Sequence, residues 1–224
     1  MRSGGASSSN PAELISPPRY ARPEINVWSP EDVRRFLSAI RQERLYPLYL
    51  LALTTGMRRG ELLALSWDRV DLGARCLYVT RSLIALNYKL ELSETKTRKG
   101  RRRVALDDHS VAALEERRSL SRSKKKRPPG GSQLVFATPE GYPLHPHSVS
   151  QGFDRLVKRH GLSRIRFHDL RHTSASLALA AGVHPKVVSE RLGHASVTIT
   201  LDTYSHVLPT LQTEAAHRIA ALIL

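Results

Sequence analysis

The 224-residue sequence has one cysteine and no long apolar segment, and each shortage excludes a class of protein. The single Cys76 rules out an intrachain disulfide framework and a cysteine-based zinc cluster, and it fits a reducing compartment. No apolar run approaches the roughly 20 residues that a membrane-spanning helix needs. The first ten residues lack the apolar centre of a secretory signal peptide. The sequence therefore predicts a soluble, intracellular protein without a membrane partner.

Acidic residues are scarce relative to basic ones. The chain has 20 Asp and Glu against 35 Lys and Arg, which gives a net charge of +15 with neutral histidines. Such an excess favours a polyanionic partner, because each phosphate that Lys or Arg neutralises releases condensed counterions. Ribosomal proteins and basic proteins of membrane surfaces share this property. Charge alone therefore indicates nucleic acid as the partner class but does not indicate an enzyme.

Apolar residues make up 41% of the chain, enough for a core, and their spacing predicts a mainly α fold with one small antiparallel β-sheet. Residues 1–27 are rich in Ser, Gly, Pro and Arg without a hydrophobic period, which is typical of a flexible leader or linker. Ser29, Pro30 and Asp32 predict a capped helix start. That helix extends to about residue 41, and further helices are predicted near 46–55, from 58, and near 107–118, 148–160, 169–181, 185–192, 197–206 and 211–224.

The β-sheet is predicted between residues 76 and 106, where apolar and polar residues alternate with a period of two. The segment 95–100 separates the last two alternating runs, and we interpret it as a hairpin connection. A basic loop follows at 119–131. Its composition fits a solvated linker and a contact with a nucleic-acid backbone equally well, so both interpretations stay open.

A predicted helix start carries two histidines and an arginine within five residues. His168 and His172 have the spacing of a zinc pair, but the glutamate of the zinc-protease motif is absent and a third ligand is not evident. Arg171 would also repel a divalent cation, so we expect no metal. His168 and Arg171 suit a phosphate, because guanidinium donates a planar fork to two oxygens and imidazole can shuttle a proton. An ordinary polar helix start is an equally good interpretation.

Three other elements are unremarkable when each is taken alone. Arg58 is followed by Glu61 at i+3, the spacing of an ion pair within a helix. His194 comes directly after Gly193, a residue type that ends helices. Tyr204 lies ten residues further on, and a lone tyrosine is usually a half-buried core residue.

Taken together and in this order, these elements resemble the motifs of the tyrosine recombinase family, also called the phage integrase family. The similar segments are the first arginine box (55–67), the catalytic-lysine turn (95–97), the His-x-x-Arg box (168–173), the second-histidine box (192–196) and the nucleophile box (203–206). The resemblance covers about residues 28–210. It implies the catalytic-domain fold of the family for that range, with 1–27 as a leader and 211–224 as a C-terminal tail helix.

The resemblance implies a site-specific DNA recombinase that cuts and rejoins double-stranded DNA through a 3′-phosphotyrosine, with no metal, ATP or other cofactor. Tyr204 would be the nucleophile. An unperturbed phenol has a pKa of about 10, so its proton needs an acceptor, and the resemblance implies His168 as the general base. Lys96 would donate a proton to the leaving 5′-oxygen.

The same resemblance implies that Arg58, Arg171 and His194 stabilise the negative charge of the transition state, in place of a metal ion. Glu61 would orient Arg58 without acting directly. The residues implied to contact DNA are Arg58, Arg171, Lys96, Arg98 and Lys99. In the family, assembly on DNA is tetrameric, so we expect a tetramer on DNA for the full-length protein and a monomer when free, in the cytoplasm of a bacterial host.

Two alternatives remain. A type IB topoisomerase shares the catalytic residues but reseals the same strand, and the close match of the His194 and Tyr204 boxes to integrases counts against it. A non-catalytic DNA-binding module of the same fold should have lost a catalytic residue type, yet all six positions are filled.

The family usually places a core-binding domain before the catalytic domain, whereas about 27 linker-like residues precede it here. We therefore expect a truncated or naturally minimal member that lacks this domain, binds DNA weakly and with strong salt dependence, and completes little recombination alone.

In the predicted C-terminal tail helix, one face carries Leu211, Ala215, Ile219 and Leu222. Packing of this face on its own domain is slightly favoured over docking on a neighbouring subunit.

Overall fold

The computed structural model of the chain describes residues 26–86, 89–94, 100–122, 133–204, 216–217 and 219–223. The helices are α1 (Pro30–Ala39), α2 (Tyr46–Thr55), α3 (Arg59–Leu63), α4 (Asp108–Arg122), α5 (Pro146–Arg159), α6 (Asp169–Ala180), α7 (Pro185–Leu192) and α8 (Val197–Tyr204). The strands are β1 (Val70–Asp71), β2 (Cys76–Val79), β3 (Arg81–Leu86), β4 (Lys89–Glu94) and β5 (Arg102–Ala105), and a short 3₁₀ helix covers Trp67–Arg69. The predicted fold class, mainly α with antiparallel β-structure, is confirmed.

The start of α1 follows from local sequence. Ser29 Oγ accepts a hydrogen bond from the backbone N–H of Asp32, and the Asp32 carboxylate accepts one from the backbone N–H of Ser29. Such a cap stabilises a helix by about 1 kcal/mol. The preceding Trp28 is buried against Phe36 and Phe153, which fixes the first helix on the core. Its backbone N–H donates to Thr173 Oγ1 at 3.2 Å, so α1 is also tied to α6.

Helix α2 ends at Gly56, and the turn at this glycine determines where the following Arg58 lies. Gly56 has φ +65°, a left-handed conformation that glycine adopts at little cost. A Cβ at this position would also collide with the Leu192 side chain. The turn delivers Arg58 to the N-terminus of α3, two residues further on.

The strands pair as two antiparallel pieces rather than as one sheet. One has the order β1-β2-β5, with Leu77 opposite Val104, and the other is the β3–β4 hairpin, with Leu83 opposite Leu92. The predicted hairpin connection at 95–100 is therefore wrong, because β4 and β5 belong to different pieces. The hairpin that the structure describes pairs β3 with β4, with Leu86 opposite Lys89. The alternation of apolar and polar residues did not indicate which strands pair with each other. β4 is mostly exposed, whereas β5 pairs with β2 and buries Val104 against it.

The apolar residues form two clusters. The larger one joins α1, α2, α3, α5 and the β1-β2-β5 sheet. The smaller one lies between α6, α7 and α8 and contains Leu179, Val188, Leu192 and the ring of Tyr204. Leu170, the neighbour of Arg171, belongs to the larger cluster, whereas Tyr204 belongs to the smaller one.

The predicted ends of the chain are covered only in part. Residues 1–25 and 123–132 lie outside the described residues, and α4 runs to Arg122, further than predicted. Of the four residues on the apolar face of the tail, Leu211 and Ala215 are also outside, while Ile219 and Leu222 are exposed. The described part of the tail gives no support to packing on its own domain. Among the described helices, none is long and apolar enough to cross a membrane.

Candidate active site

A cleft of about 1010 Å³ lies between α3, the β3–β4 hairpin, the start of α6 and the α7–α8 turn. Six of the predicted site residues line it together: Arg58, Glu61, His168, Arg171, His194 and Tyr204. They come from four segments that are up to 146 positions apart in sequence. Lys96, Arg98 and Lys99 lie outside the described residues. The residues on either side of that segment, Glu94 and Gly100, both line the cleft.

Glu61 holds the first arginine in place. Its carboxylate accepts hydrogen bonds from the backbone N–H of Arg58 at 2.8 Å and from Arg58 Nη1 at 2.9 Å. Burial raises the pKa of Glu61, but the hydrogen bonds and charge of Arg102, together with those of Arg58, outweigh burial and lower the pKa overall. The carboxylate therefore stays ionised and holds Arg58 by two hydrogen bonds.

Arg102 is a buried partner that the sequence interpretation missed. Its guanidinium donates to both oxygens of Glu61, at 3.1 and 2.8 Å, and its Nε donates to the backbone carbonyl of Arg191 at 2.6 Å. A Cβ on Gly193 would approach Arg102 Nη1 to 2.8 Å, so glycine is needed there. A signal was available, since Arg102 lies two positions before buried Val104 on the same strand and must face inward.

Arg171 is buried, with a side chain that is partly unsatisfied. Its Nη1 donates to the backbone carbonyl of Gly56 at 2.7 Å, whereas its buried Nη2 has no hydrogen-bond partner among the described residues. Burial, together with the nearby charge of Arg58, lowers the pKa of Arg171 to about 10, and the group remains cationic at neutral pH. A buried N–H without an acceptor is costly, so this arrangement favours binding an anion in the cleft.

His194 follows Gly193, which ends α7 with φ +69° and turns the chain toward the cleft. Its Nδ1 lies 2.8 Å from Oγ1 of the buried Thr200. Burial lowers the pKa of His194 to about 4, and Arg171 and Arg58 act in the same direction, so the imidazole is neutral at pH 7. A Thr200 hydroxyl that donates to Nδ1 leaves the proton on Nε2, the tautomer that can donate to an anion.

His168 precedes α6 and lines the cleft beside Arg171. Burial lowers its pKa, and the charge of Arg171 adds to the effect. Its ring meets that of His172 edge to face, with centroids 5.3 Å apart. The two histidines of the motif therefore lie side by side in the lining of the cleft.

Tyr204 is 1% exposed, and its hydroxyl contacts His172. The Oη atom lies 2.8 Å from Nδ1 of His172. Burial raises the pKa of Tyr204 to about 12, although Arg171 opposes the shift. His172 was not among the predicted site residues. The spacing that placed it beside His168 was read only as a possible zinc pair, and nothing in the local sequence pointed to a tyrosine 32 positions away.

Comparison with known proteins gives consistent matches. Residues 26–210 match the sequence model described as the Phage integrase family. A "Tyrosine recombinase XerC-like" protein of Caldanaerobacter subterraneus subsp. tengcongensis is 30% identical, over 93% of this chain and 57% of that protein. The ICEBs1 integrase of Bacillus subtilis is 28% identical, over 96% and 59%. The chain thus spans less than two thirds of the length of these curated relatives.

Solved structures share the fold. The Tn1549 transposon integrase, solved in complex with circular intermediate DNA, superposes with a TM-score of 0.77 at 24% identity, over 88% of this chain and 68% of that one. The XerA recombinase superposes with a TM-score of 0.71 at 24% identity, over 91% and 66%. At this level of identity the likeness establishes the architecture alone.

Proposed function

The chain belongs to the phage integrase family, and from that membership we propose that residues 28–210 form the catalytic domain of a site-specific tyrosine recombinase. The proposed reaction cuts one DNA strand, stores the phosphate on Tyr204 and passes it to another 5′-hydroxyl. One observation carries the proposal: Arg171, whose buried Nη2 has no hydrogen-bond partner among the described residues, lines the same cleft as Arg58 and Tyr204. Two guanidinium groups and a phenol in one cleft suit attack on a phosphodiester.

In the proposed chemistry the phosphate enters between Arg58 and Arg171. The pentavalent transition state spreads negative charge over the non-bridging oxygens, and charges that are already in place stabilise it without reorganising. His194 adds a neutral donor to the same oxygens. The buried pair of Glu61 and Arg102 supports the rigidity that this role needs.

Strand exchange follows from the bonds that are made and broken. Tyr204 Oη forms a bond to phosphorus, and the bond from phosphorus to the 5′-oxygen breaks. The resemblance to the family gives Lys96 the role of protonating that oxygen and His168 the role of handling the phenolic proton. The phosphotyrosine keeps the ester bond, so a second 5′-hydroxyl can attack it without ATP or a metal ion.

The proposed partner is double-stranded DNA, with Arg58, Arg171, Lys96, Arg98 and Lys99 as contacts. The net charge of +15 and the DNA complex of the similar Tn1549 integrase support it. The same proposal includes assembly of the full-length protein as a tetramer on DNA, a monomer when free, and residence in the bacterial cytoplasm. The relatives, named as integrases and recombinases, do not favour the topoisomerase alternative.

Covalent capture tests the function. Nicked duplexes with randomised cores are incubated with the chain at low salt, and protein–DNA adducts that survive denaturing electrophoresis are isolated and sequenced. We expect an adduct with wild type, none with Tyr204→Phe, and an undiminished adduct with Tyr142→Phe, a control at an exposed tyrosine. No wild-type adduct across the library, or an adduct with Tyr204→Phe, would contradict the proposal.

A further inference from the structure

The hydroxyl of Tyr204 meets the imidazole of His172, a residue with no role in the scheme above. The distance from Oη to Nδ1 is 2.8 Å, and the ring centroids are 5.8 Å apart. His172 lies on α6 directly after Arg171, so one helix end presents His168, Arg171 and His172 to the cleft. The contact thus joins the nucleophile to the element that carries the anion-binding guanidinium.

Both partners in this contact are held rigidly. The start of α6 is fixed by Asp169, whose carboxylate accepts three hydrogen bonds from Arg166, and by Thr173, which accepts from the backbone of Trp28. The Tyr204 ring is packed in the smaller apolar cluster. A phenol and an imidazole that are both fixed in this way meet the geometric requirement for proton transfer, a heavy-atom distance of about 2.6–3.2 Å.

The surroundings keep His172 neutral. Burial lowers its pKa, and His168 and Arg171 act in the same direction, while Asp169 opposes them. Among the described residues, the charged and titratable groups around it are Asp169 and Arg171 on α6, Arg166 and His168 before that helix, His194 in the α7–α8 turn and Tyr204 on α8. A neutral imidazole with its proton on Nε2 offers the Nδ1 lone pair to the phenol.

We propose that His172 is a catalytic residue, whose Nδ1 takes the phenolic proton as Tyr204 attacks the phosphate. The O–H bond of Tyr204 breaks, the Oη–phosphorus bond forms, and the imidazole becomes an imidazolium. In resealing, the imidazolium returns the proton as the Oη–phosphorus bond breaks. The inference rests on the proposed function and reassigns to His172 the phenolic proton that the family resemblance gives to His168.

Proton transfer accompanies attack and does not precede it. The pKa of Tyr204 is raised to about 12, and that of His172 is lowered below its usual value, so a free phenolate next to an imidazolium is strongly disfavoured. As the Oη–phosphorus bond forms, the phenol becomes more acidic and the transfer becomes favourable. His172 therefore takes the proton only in the transition state. A purely structural His172 would do no more than form a hydrogen bond with the buried hydroxyl of Tyr204.

Single-turnover cleavage of a captured nicked substrate separates proton transfer from positioning. His172→Ala removes the contact, whereas His172→Asn keeps a hydrogen-bonding group near the position of Nδ1 but cannot take a proton. We expect both variants to cleave on the order of 10²- to 10⁴-fold more slowly than wild type. The matched control is His184→Asn, at an exposed helix cap where asparagine also caps well, and its rate should equal that of wild type. A rate for His172→Asn close to wild type would overturn the proposal.

A second measurement tests the proton transfer even if His172→Asn folds less well than wild type. Incorporation of 3-fluorotyrosine at position 204 makes the phenol more acidic, so it should restore cleavage by His172→Asn more than it accelerates wild type. A substrate with sulfur in place of the leaving 5′-oxygen relieves the need for a proton donor and should leave the His172→Asn defect in place. Rescue by the sulfur substrate, or equal effects of fluorotyrosine on both proteins, would contradict the role. If wild type itself forms no adduct, the proposed function fails instead.

Discussion

At the scale of single residues, the centre of the site is a carboxylate shared by two arginines. Glu61 and Arg102 have side chains only 3% and 7% exposed, whereas Arg58 is 44% exposed on the cleft side. The exposed arginine can therefore turn to a ligand while the buried one keeps Glu61 ionised and fixed. Arg102 also holds the carbonyl of Arg191, close to the turn that carries His194.

Replacement of Arg102 by alanine should be strongly destabilising. It leaves Glu61 buried with a single cationic partner, and breaking a buried pair in this way costs about 3–5 kcal/mol. The adjacent Arg101 pairs with exposed Glu94, so Arg101→Ala should cost less than about 1 kcal/mol. Urea unfolding of the two variants measures the difference in free energy of unfolding. Equal losses would show that the Glu61–Arg102 pair does not act as a buried unit.

The pH dependence of stability should report on His194. Burial, aided by Arg171 and Arg58, lowers its pKa from the usual 6.5 to about 4. Between these values the unfolded chain binds more protons than the folded one, so the free energy of unfolding falls as the pH falls. Partial exposure reduces this contribution to about 1–2 kcal/mol.

His194→Asn removes the titration while keeping a polar group near Thr200. Unfolding in urea at pH 7 and pH 4.5 should therefore show a larger loss for wild type than for the variant. Equal losses would mean that the environment of His194 does not depress its pKa.

At the scale of elements, the position of the β3–β4 hairpin depends on a glycine in α3. A Cβ on Gly60 would approach the carbonyl oxygen of Leu83 to 2.8 Å and would also collide with the Ser82 side chain. The helix and the hairpin can pack this closely only because that Cβ is absent. Since Ser82 and Ile84 line the cleft, the contact sets one wall of the site.

Gly60→Ala should push the hairpin away from α3. Overpacking of this kind typically costs about 1–3 kcal/mol, and we expect a matching loss of DNA cleavage. Gly152 is also helical, but its nearest neighbour, the Tyr49 hydroxyl, is 3.6 Å from an added Cβ. Gly152→Ala should therefore be neutral or stabilising by up to about 1 kcal/mol. Thermal unfolding of both variants tests the contrast, and a stable, active Gly60→Ala would refute it.

Local signals predicted the helices because their causes lie within a few residues. Ser29 with Asp32 starts α1, and Gly56 ends α2. Strand pairing was not predictable in the same way, since alternation gives the buried face of a strand but not its neighbour. The order of the family motifs along the chain predicted the main site residues. Arg102 and His172 escaped because their partners, Glu61 and Tyr204, are 41 and 32 positions away.

At the scale of the whole molecule, the charge of +15 should dominate the affinity for DNA. We expect the logarithm of the binding constant to fall linearly with the logarithm of salt concentration, by about 0.9 for each phosphate contacted. Arg58→Ala should reduce the slope by about one contact, while Arg41→Ala, outside the cleft, should leave it unchanged. Fluorescence anisotropy between 50 and 300 mM salt measures both slopes. A salt-independent affinity would exclude phosphate neutralisation as its source.

The burial of Tyr204 beside His172 has a consequence for mixtures of defective copies. Tyr204 and the cleft around it belong to one chain, so under the proposed function each copy would use its own tyrosine. In a mixture, a copy with Tyr204→Phe would lack the nucleophile, and a copy with Arg171→Ala would lack an intact cleft. Mixing the two on DNA should therefore yield no covalent adduct, whereas chains that exchange their tyrosines would complement each other. That result would mean that each copy cuts DNA with its own tyrosine, and that any cooperation between copies lies in the timing of cleavage rather than in its chemistry.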